Sequence, residues 1–454
     1  MDTKLLRQKI LDLAIRGKLV PQDPNDEPAS VLLERIKAEK ERLIKEGKIK
    51  RSKKTATTSD NRHYPFKLPS GWVWTTLGEL FTLQAGKNIS AKKISIVQNK
   101  QNNYPCFGGN GIRGYVTSFN ISGSHPIIGR QGALCGNINL ATNEFYATEH
   151  AVVVDFYCET DLMWCYYILK ALNLNQYATA TAQPGLAVKV INEAFIPLPP
   201  YKEQRKISNA ISHWFSLIDD VNSSKVQLKN AISQVKSKIL DLAIHGKLVP
   251  QDPADEPASE LLKRVNPSAE ITCDIEQYGN IPQNWVTIKL GGVGKWKAGA
   301  TPNRTISEYY GGTIPWLKTG DLNDGFITKI PESITQKALD ETSVCLNPTD
   351  SVLIAMYGAT IGRVGILTFP ATTNQACCAC SGYFVNKMYL FYFLIANRST
   401  FLALGGGGAQ PNISKEKIVN LSFPLPPLAE QKRIVDKIEE LFAQLDAIEN
   451  SLQA

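Results

Sequence analysis

Lys9–Ser30 reads KILDLAIRGKLVPQDPNDEPAS, and Lys238–Ser259 reads KILDLAIHGKLVPQDPADEPAS. Only two of these 22 positions differ, Arg16 against His245 and Asn25 against Ala254. A second matched pair is Pro197–Ile207 (PLPPYKEQRKI) and Pro424–Ile434 (PLPPLAEQKRI). The offsets, 229 and 227 residues, nearly agree, so one unit of about half the 454-residue chain is doubled. That period far exceeds the roughly 20–50 residues of a solenoid. The chain reads as a pseudo-dimer in one polypeptide.

Between these landmarks lie two divergent stretches, roughly Tyr64–Pro197 and Ile281–Pro424, that keep one order. Trp72-Val73 with Leu77-Gly78 matches Trp285-Val286 with Leu290-Gly291, and Tyr104-Pro105 matches Ile314-Pro315. Ile127–Gly132 (IIGRQG) matches Leu353–Gly358 (LIAMYG), and Gln183-Pro184-Gly185 matches Gln410-Pro411-Asn412. Gly, Asn, Thr and aromatics with short β-branched runs, such as Ala151–Val154 and Ser351–Ile354, predict a loop-rich α+β domain in each.

The near-identical segments read as helical. A heptad runs Ile207, Trp214, Val221, Leu228, Val235, Leu242, with companions Ile211, Ile218, Lys225, Ile232 and Ile239. The C-terminus repeats it with Ile434, Ile438, Leu441, Leu445, Ile448 and Leu452, and Leu6, Ile10 and Leu13 match Val235, Ile239 and Leu242. The two end helices thus rebuild one copy of the central one. Connectors of opposite sense predict an antiparallel coiled coil about 60 Å long, with the chain termini adjacent near its middle. The expected organisation is a repeated helical segment with a charged arm (1–54), a first head (62–200) and a central coiled-coil helix (201–265). A second head (275–426) and a C-terminal helix pairing with the central one (427–454) complete it.

Composition narrows the class. With 43% hydrophobic and 20% charged residues the chain is neither disordered nor membrane-spanning. Its longest apolar run, Met388–Ala396, falls short of the roughly 20 residues a spanning helix needs. The first residues carry charges of both signs and no apolar signal-peptide core. Nine cysteines, an odd number, point to a reducing cytoplasm. The net charge of +8 hints at an anionic partner, but most of it comes from Arg35–Lys54, where ten Lys/Arg face only Glu39, Glu41 and Glu46.

Two divergent heads on a two-fold rod form a caliper, the geometry of readers that grip DNA at two half-sites. The PLPPxxEQ approach to a long helix, the two variable domains and the KLVPQDPxDEPAS segment together resemble the specificity subunit of type I restriction–modification enzymes, over essentially the whole chain. The resemblance implies an α+β fold of two target-recognition domains joined by a long antiparallel coiled coil. It implies that each domain reads one half of a bipartite asymmetric site in double-stranded DNA. Two methyltransferase subunits and motor–nuclease subunits are the implied partners. They, not this chain, would use S-adenosylmethionine, and ATP with Mg for restriction. The once-only arm Val31–Lys54, read as a charged helix ahead of the polar linker Thr55–Asn61, departs from the repeat, whose second copy diverges into Asn266–Asp274.

No catalytic centre is legible. Leu198-Pro199-Pro200-Tyr201 resembles a methyltransferase loop but has Leu where an acidic or amide residue is needed, and Leu425–Leu428 lacks both ends. Gly108–Gly111, Gly291–Gly294 and Gly405–Gly408 do not give GxGxxG between strand and helix, and no P-loop lysine motif exists. Asp340-Glu341, Asp321 and Asp324 read as loop carboxylates. Cys377, Cys378 and Cys380 lack zinc spacing and read as buried strand residues. Glu149-His150 fits a base-reading or catalytic couple, but a lone adjacent pair is usually structural.

DNA contact calls for Lys/Arg at phosphates and Arg, Asn or Gln at base edges. The candidates are Lys92, Lys93, Lys100, Arg113, Arg130, Gln131 and Lys189 in the first head. In the second they are Lys295, Lys297, Arg304, Lys318, Tyr357, Arg363, Gln375 and Lys415. Arg130-Gln131 and Met356-Tyr357 share a place in the repeat yet differ in type. Two other readings compete: a self-contained DNA methyltransferase or nuclease, against which the missing motifs argue, and a two-headed scaffold for ligands other than DNA.

Overall fold

The repeated segment is helical only in part: the first copy ends its helix, Thr3–Ile15, one residue before Arg16, and the second ends at Ile244. The structure, a computed structural model, describes residues 2–49, 65–132, 134–179, 184–272, 278–406 and 411–452. Both stops fall beside a glycine with φ of +66°, Gly17 and Gly246, a left-handed turn that side chains resist. A Cβ there would also lie 2.4 Å from the Pro69 ring or 2.3 Å from the Pro282 ring. Three prolines then hold each LVPQDPxDEP stretch out of helix. Helix resumes at Ala29–Lys45 and Ala258–Val265. The charged arm expected to stay helical to Lys54 therefore stops at Lys45. Residues 50–54, the linker Thr55–Asn61, Gln183, Gln410, Gly407-Gly408, Cys273-Asp274 and the termini Met1, Gln453 and Ala454 lie outside the described residues.

The chain divides into two units, Met1–Ser224 and Lys225–Ala454, and the division cuts the 44-residue helix Tyr201–Ile244. In the first unit, β1 (Val73–Thr76) and β10 (Phe195–Leu198) form an antiparallel ribbon. A four-stranded sheet orders β2 (Phe81–Ala85), β9 (Ala151–Phe156), β6 (His125–Gly129) and β7 (Ile138–Ala141). A second orders β4 (Gly111–Val116), β3 (Tyr104–Gly108), β8 (Glu144–Ala147) and β5 (Ile121–Ser122), with β3 and β8 parallel. Ala151–Val154 is wholly buried because the strand is covered on both faces. Val152 and Val154 join Trp164 and the helical layer, while Ala151 and Val153 face Phe107 and Phe145.

The second unit builds the same frame. β12 (Val286–Lys289) pairs with β21 (Ser422–Leu425), with β11 (Ile271–Thr272) added at its edge. One sheet orders β13 (Lys295–Ala298), β20 (Cys377–Ser381), β17 (Val352–Ala355), β18 (Val364–Leu367) and β15 (Gly325–Ile327). Another orders β16 (Ser333–Ile334), β14 (Tyr310–Leu317) and β19 (Thr372–Thr373), β14 and β19 again parallel. Cys377, Cys378 and Cys380 are buried in β20. Burial pushes the Cys378 thiol up to about 12 and raises its two neighbours as well.

Within each unit the helices pair antiparallel. In the first, Arg7 reaches Asp219 at 2.5 Å, while further along the chain Gln22 reaches back to Glu203 at 3.2 Å. In the second, Lys236 pairs with Asp446 and Gln251 donates to Glu430 at 2.8 Å. The repeated motifs meet at these carboxylates. Trp72 Nε1 donates to Glu203 at 2.9 Å and Trp285 Nε1 to Glu430 at 3.0 Å. Gln204 and Gln431 each accept from the first residue of the helical layer, Asp161 N and Asn386 N. The EQ of PLPPxxEQ thus clamps the LVPQDP loop, the head's tryptophan and the next helix together, which is why both copies carry it.

The apolar seam is narrower than the heptad implied. Ile207, Ile211, Ile218, Ile232, Ile239, Ile10, Ile434 and Ile438 are buried. Leu6, Leu13, Leu441, Leu445 and Leu452 are half-buried. Trp214, Val221, Leu228 and Val235 are 37–48% exposed, as is Ile448 at 46%. Each half of the central helix meets one short partner and its own head along the companion column, so the other column faces outward. Ile211→Ala should cost about 2–4 kcal/mol, whereas Trp214→Ala should stay within about 0.5 kcal/mol in the isolated chain. Equal losses in urea unfolding would contradict the one-sided seam.

Burial raises the Glu203 and Glu430 carboxyls, the indole and glutamine donors pulling them back down. A carboxyl raised by folding holds its proton more tightly in the folded chain. Its stabilising contribution is therefore complete below the unfolded value near 4.5 and is lost as pH rises through the raised value. Glu203→Gln combined with Glu430→Gln keeps an acceptor for each indole and removes the charge. Its stability should fall less than wild type's as pH rises above 4.5, measured by denaturant titration; parallel curves would refute this.

Candidate nucleic-acid interface

In each head four backbone segments converge at the ends of the main sheet. In the first, Lys87 N donates to Ala147 O at 3.0 Å and Arg130 N to His150 O at 3.0 Å. Leu186 N donates to Arg130 O at 2.9 Å, and Gln131 bridges Gly185. In the second, Ala300 N donates to Thr373 O at 3.0 Å, Met356 N to Ala376 O at 2.8 Å and Ile413 N to Met356 O at 2.9 Å, and Tyr357 bridges Asn412. These are the same bonds at equivalent positions. A glycine permits each convergence: a Cβ on Gly86 would lie 2.0 Å from Ala147 O, and one on Gly299 2.3 Å from Thr373 O.

The side chains on this common frame differ. The first head presents Lys87 and Gln131 as exposed residues and a Glu149–His150 pair at 3.2 Å, beside a half-buried Arg130. The second presents Thr301, Tyr357, Gln375 and Asn412 as exposed, with the Thr301 hydroxyl bonded to Gln375. Met356, in the place of Arg130, is only 2% exposed. An identical backbone frame with unlike polar tips suits two readers of different base edges.

The structure gathers Arg130, Gln131, Tyr357 and Gln375 at these convergences and places the other candidates elsewhere. Lys92 and Lys93 sit exposed on the turn Ala91–Lys93, Lys100 in the loop before β3, Arg113 on β4 and Lys189 on the helix Val188–Glu193. Lys295 and Lys297 are exposed on the edge strand β13 that leads to Gly299, and Arg363 lies in the β17–β18 turn. Lys415 is half-buried at the start of a short helix. Arg304 and Lys318 both pair with Glu332, Arg304 at 2.9 Å while stacked on Tyr310 and Trp316. They brace the second head rather than offering free cations. In the basic arm, Arg35, Lys37, Arg42 and Lys48 pair with Glu27, Glu34, Glu39 and Glu46, and Lys40 donates to Gly78 O. Glu27 and Glu34 lie outside Arg35–Lys54 and offset two of its excess charges. Lys87, Thr301, Asn374 and Asn412 escaped the sequence reading; the matched glycines Gly86 and Gly299 were the available signal for the first two.

A family model for the type I restriction modification DNA specificity domain matches residues 69–232 and 282–454, once per head. The chain belongs to this family. Similar relatives are the EcoEI and EcoAI specificity subunits of Escherichia coli. They are 26% identical over 99% of this chain and 91% of the relative, and 27% identical over 96% and 88%. The EcoprrI specificity subunit, also of Escherichia coli, is 41% identical over 37% of this chain and 41% of its own length. A chain from a type I R-M system structure shares the fold at TM-score 0.58 and 17% identity, covering 86% of this chain and 94% of that one. The HsdS subunit from Thermoanaerobacter tengcongensis does so at 0.50 and 17%, covering 86% and 95%. The protein is thus a specificity subunit with two recognition domains, a non-catalytic component of a type I system, and the two convergences occupy equivalent places in those domains.

Proposed function

We propose that this specificity subunit reads a different half-site with each head and carries two methyltransferase subunits, which methylate adenine at the site. Motor–nuclease subunits then join to add restriction. The observation that carries the reading is the same backbone convergence built twice with unlike side chains. A symmetric reader would repeat the tips as well as the frame. The outward row of Trp214 and Val221 in the first unit, and of Leu228 and Val235 in the second, supports docking of one partner on each half of the repeat.

In this reading S-adenosylmethionine belongs to the methyltransferase subunits, and ATP with Mg to the restriction subunits. The assembly works in the cytoplasm, where the DNA it guards lies. Among the described residues no helix is long and apolar enough to cross a membrane. Sedimentation of the complex on duplex DNA should give two methyltransferase subunits for each specificity chain. Calorimetry should find S-adenosylmethionine bound by the complex and not by the isolated chain. Tight binding of that cofactor to the isolated chain would favour the self-contained methyltransferase instead.

A further inference from the structure

We infer that the convergence in each head is where bases are read, Arg130 with Gln131 taking a guanine in one half-site and Gln375 beside Tyr357 taking an adenine in the other. The inference rests on the specificity reading above and deepens it to named residues and bases.

Its main support is the distribution of unpaired polar atoms. Among the described residues, Arg130 Nε, Glu149 Oε2 and His150 Nδ1 in the first head are buried without a hydrogen-bond partner; so are Thr373 Oγ1 and Asn374 Oδ1 in the second. Asn139 Nδ2 and Trp164 Nε1 complete the set. Buried polar atoms are nearly always paired because leaving them unpaired is costly. Five of these seven stand at equivalent turns, β8–β9 with the end of β6 and β19–β20. Folding alone gives no reason for both heads to concentrate that cost at one place. A ligand presenting donors and acceptors there does.

The identity of the side chains then assigns the base. Arg130 occupies a position that the second head fills with the buried Met356, so packing does not demand a guanidinium. A guanidinium fits guanine O6 and N7 with two parallel donors, and a carboxamide fits adenine N6 and N7. The Glu149–His150 pair lies directly behind, since His150 O accepts from Arg130 N at 3.0 Å. In the second head the Thr301 hydroxyl bonds the Gln375 amide oxygen and fixes its orientation. Tyr357, 41% exposed and bridged to Asn412, flanks it.

The test is a genome-wide map of methylated adenines from the chain co-expressed with its methyltransferase subunits, for wild type, Arg130→Met and Gln375→Ala. Arg130→Met installs the residue that packs in the other head. It should lower the preference for guanine at one position of one half-site by roughly 5- to 150-fold, leaving the other half and the gap unchanged. Gln375→Ala should do the same at an adenine of the opposite half. Unchanged motifs in both variants, or changes spread over both halves, overturn the inference. A wild-type map with no bipartite motif overturns the specificity reading itself. Should Arg130→Met fail to co-purify with its partners, Arg130→Lys decides, because it keeps the charge and loses the two-pronged fork. Relaxation at that single position supports the assignment, and an unaltered motif refutes it.

Discussion

Trp164→Ala is expected to destabilise the first unit by about 3–5 kcal/mol. Trp164 is completely buried in a helix whose first turn is capped by Asp161 at 2.7 Å. It belongs to the same buried cluster as Val152, Val154, Leu77 and Ile207, a core that joins sheet and central helix. Trp164 Nε1 has no partner among the described residues, so truncation breaks no hydrogen bond; the cavity it leaves outweighs the removal of one unpaired donor. The second unit has its own core around Tyr389, Phe393 and Phe423. Hydrogen exchange should therefore accelerate in peptides of the first unit and stay unchanged in residues 278–406. Acceleration throughout would show that the two cores fold as one.

Gly299→Ala and Gly86→Ala carry the largest expected effects on recognition. The new methyl group meets backbone in both heads: Thr373 O and Asn374 O at 2.3 Å in one, with Thr373 Oγ1 equally close, and Ala147 O at 2.0 Å in the other. The turn must move away, which costs about 1–3 kcal/mol and carries the reading side chains with it. Losing about one good base contact per head corresponds to roughly 5- to 150-fold weaker discrimination. Each substitution should blunt one half-site and spare the other, as seen by competition binding to duplexes altered in one half at a time. Full discrimination by both variants would place the reading surface elsewhere.

The doubling was plain in the sequence because two near-identical segments and the PLPPxxEQ pair share nearly one offset, and the fold repeats the ribbon, the centre of the main sheet and the parallel pair while the outer strands differ. Less visible was where the repeated segment stops being helical. Gly17 and Pro21 signalled the stop, but the apolar spacing around them continues as a helix would. The heptad also overstated the seam: apart from Lys225 both columns are apolar, and only the placement of a single short partner shows that Trp214 and Val235 face outward. At the site, Arg130-Gln131 emerged from aligning the two copies. Lys87 and Thr301 did not, because they arrive through a close backbone approach that only Gly86 and Gly299 betray. Arg304 and Lys318 had the composition of phosphate contacts, yet they share Glu332, a partner that pairing across β14 brings within reach. Charge type was legible in the chain; charge partnership required the fold.

The most direct test of the central claim is to replace residues 65–197 with the corresponding head of another specificity subunit. Methylated adenines are then mapped with the methyltransferase subunits present. The account predicts a bipartite motif in which one half is new, while the other half and the gap are those of the parent chain. A motif changed in both halves, or a gap that shifts with the head, would contradict it.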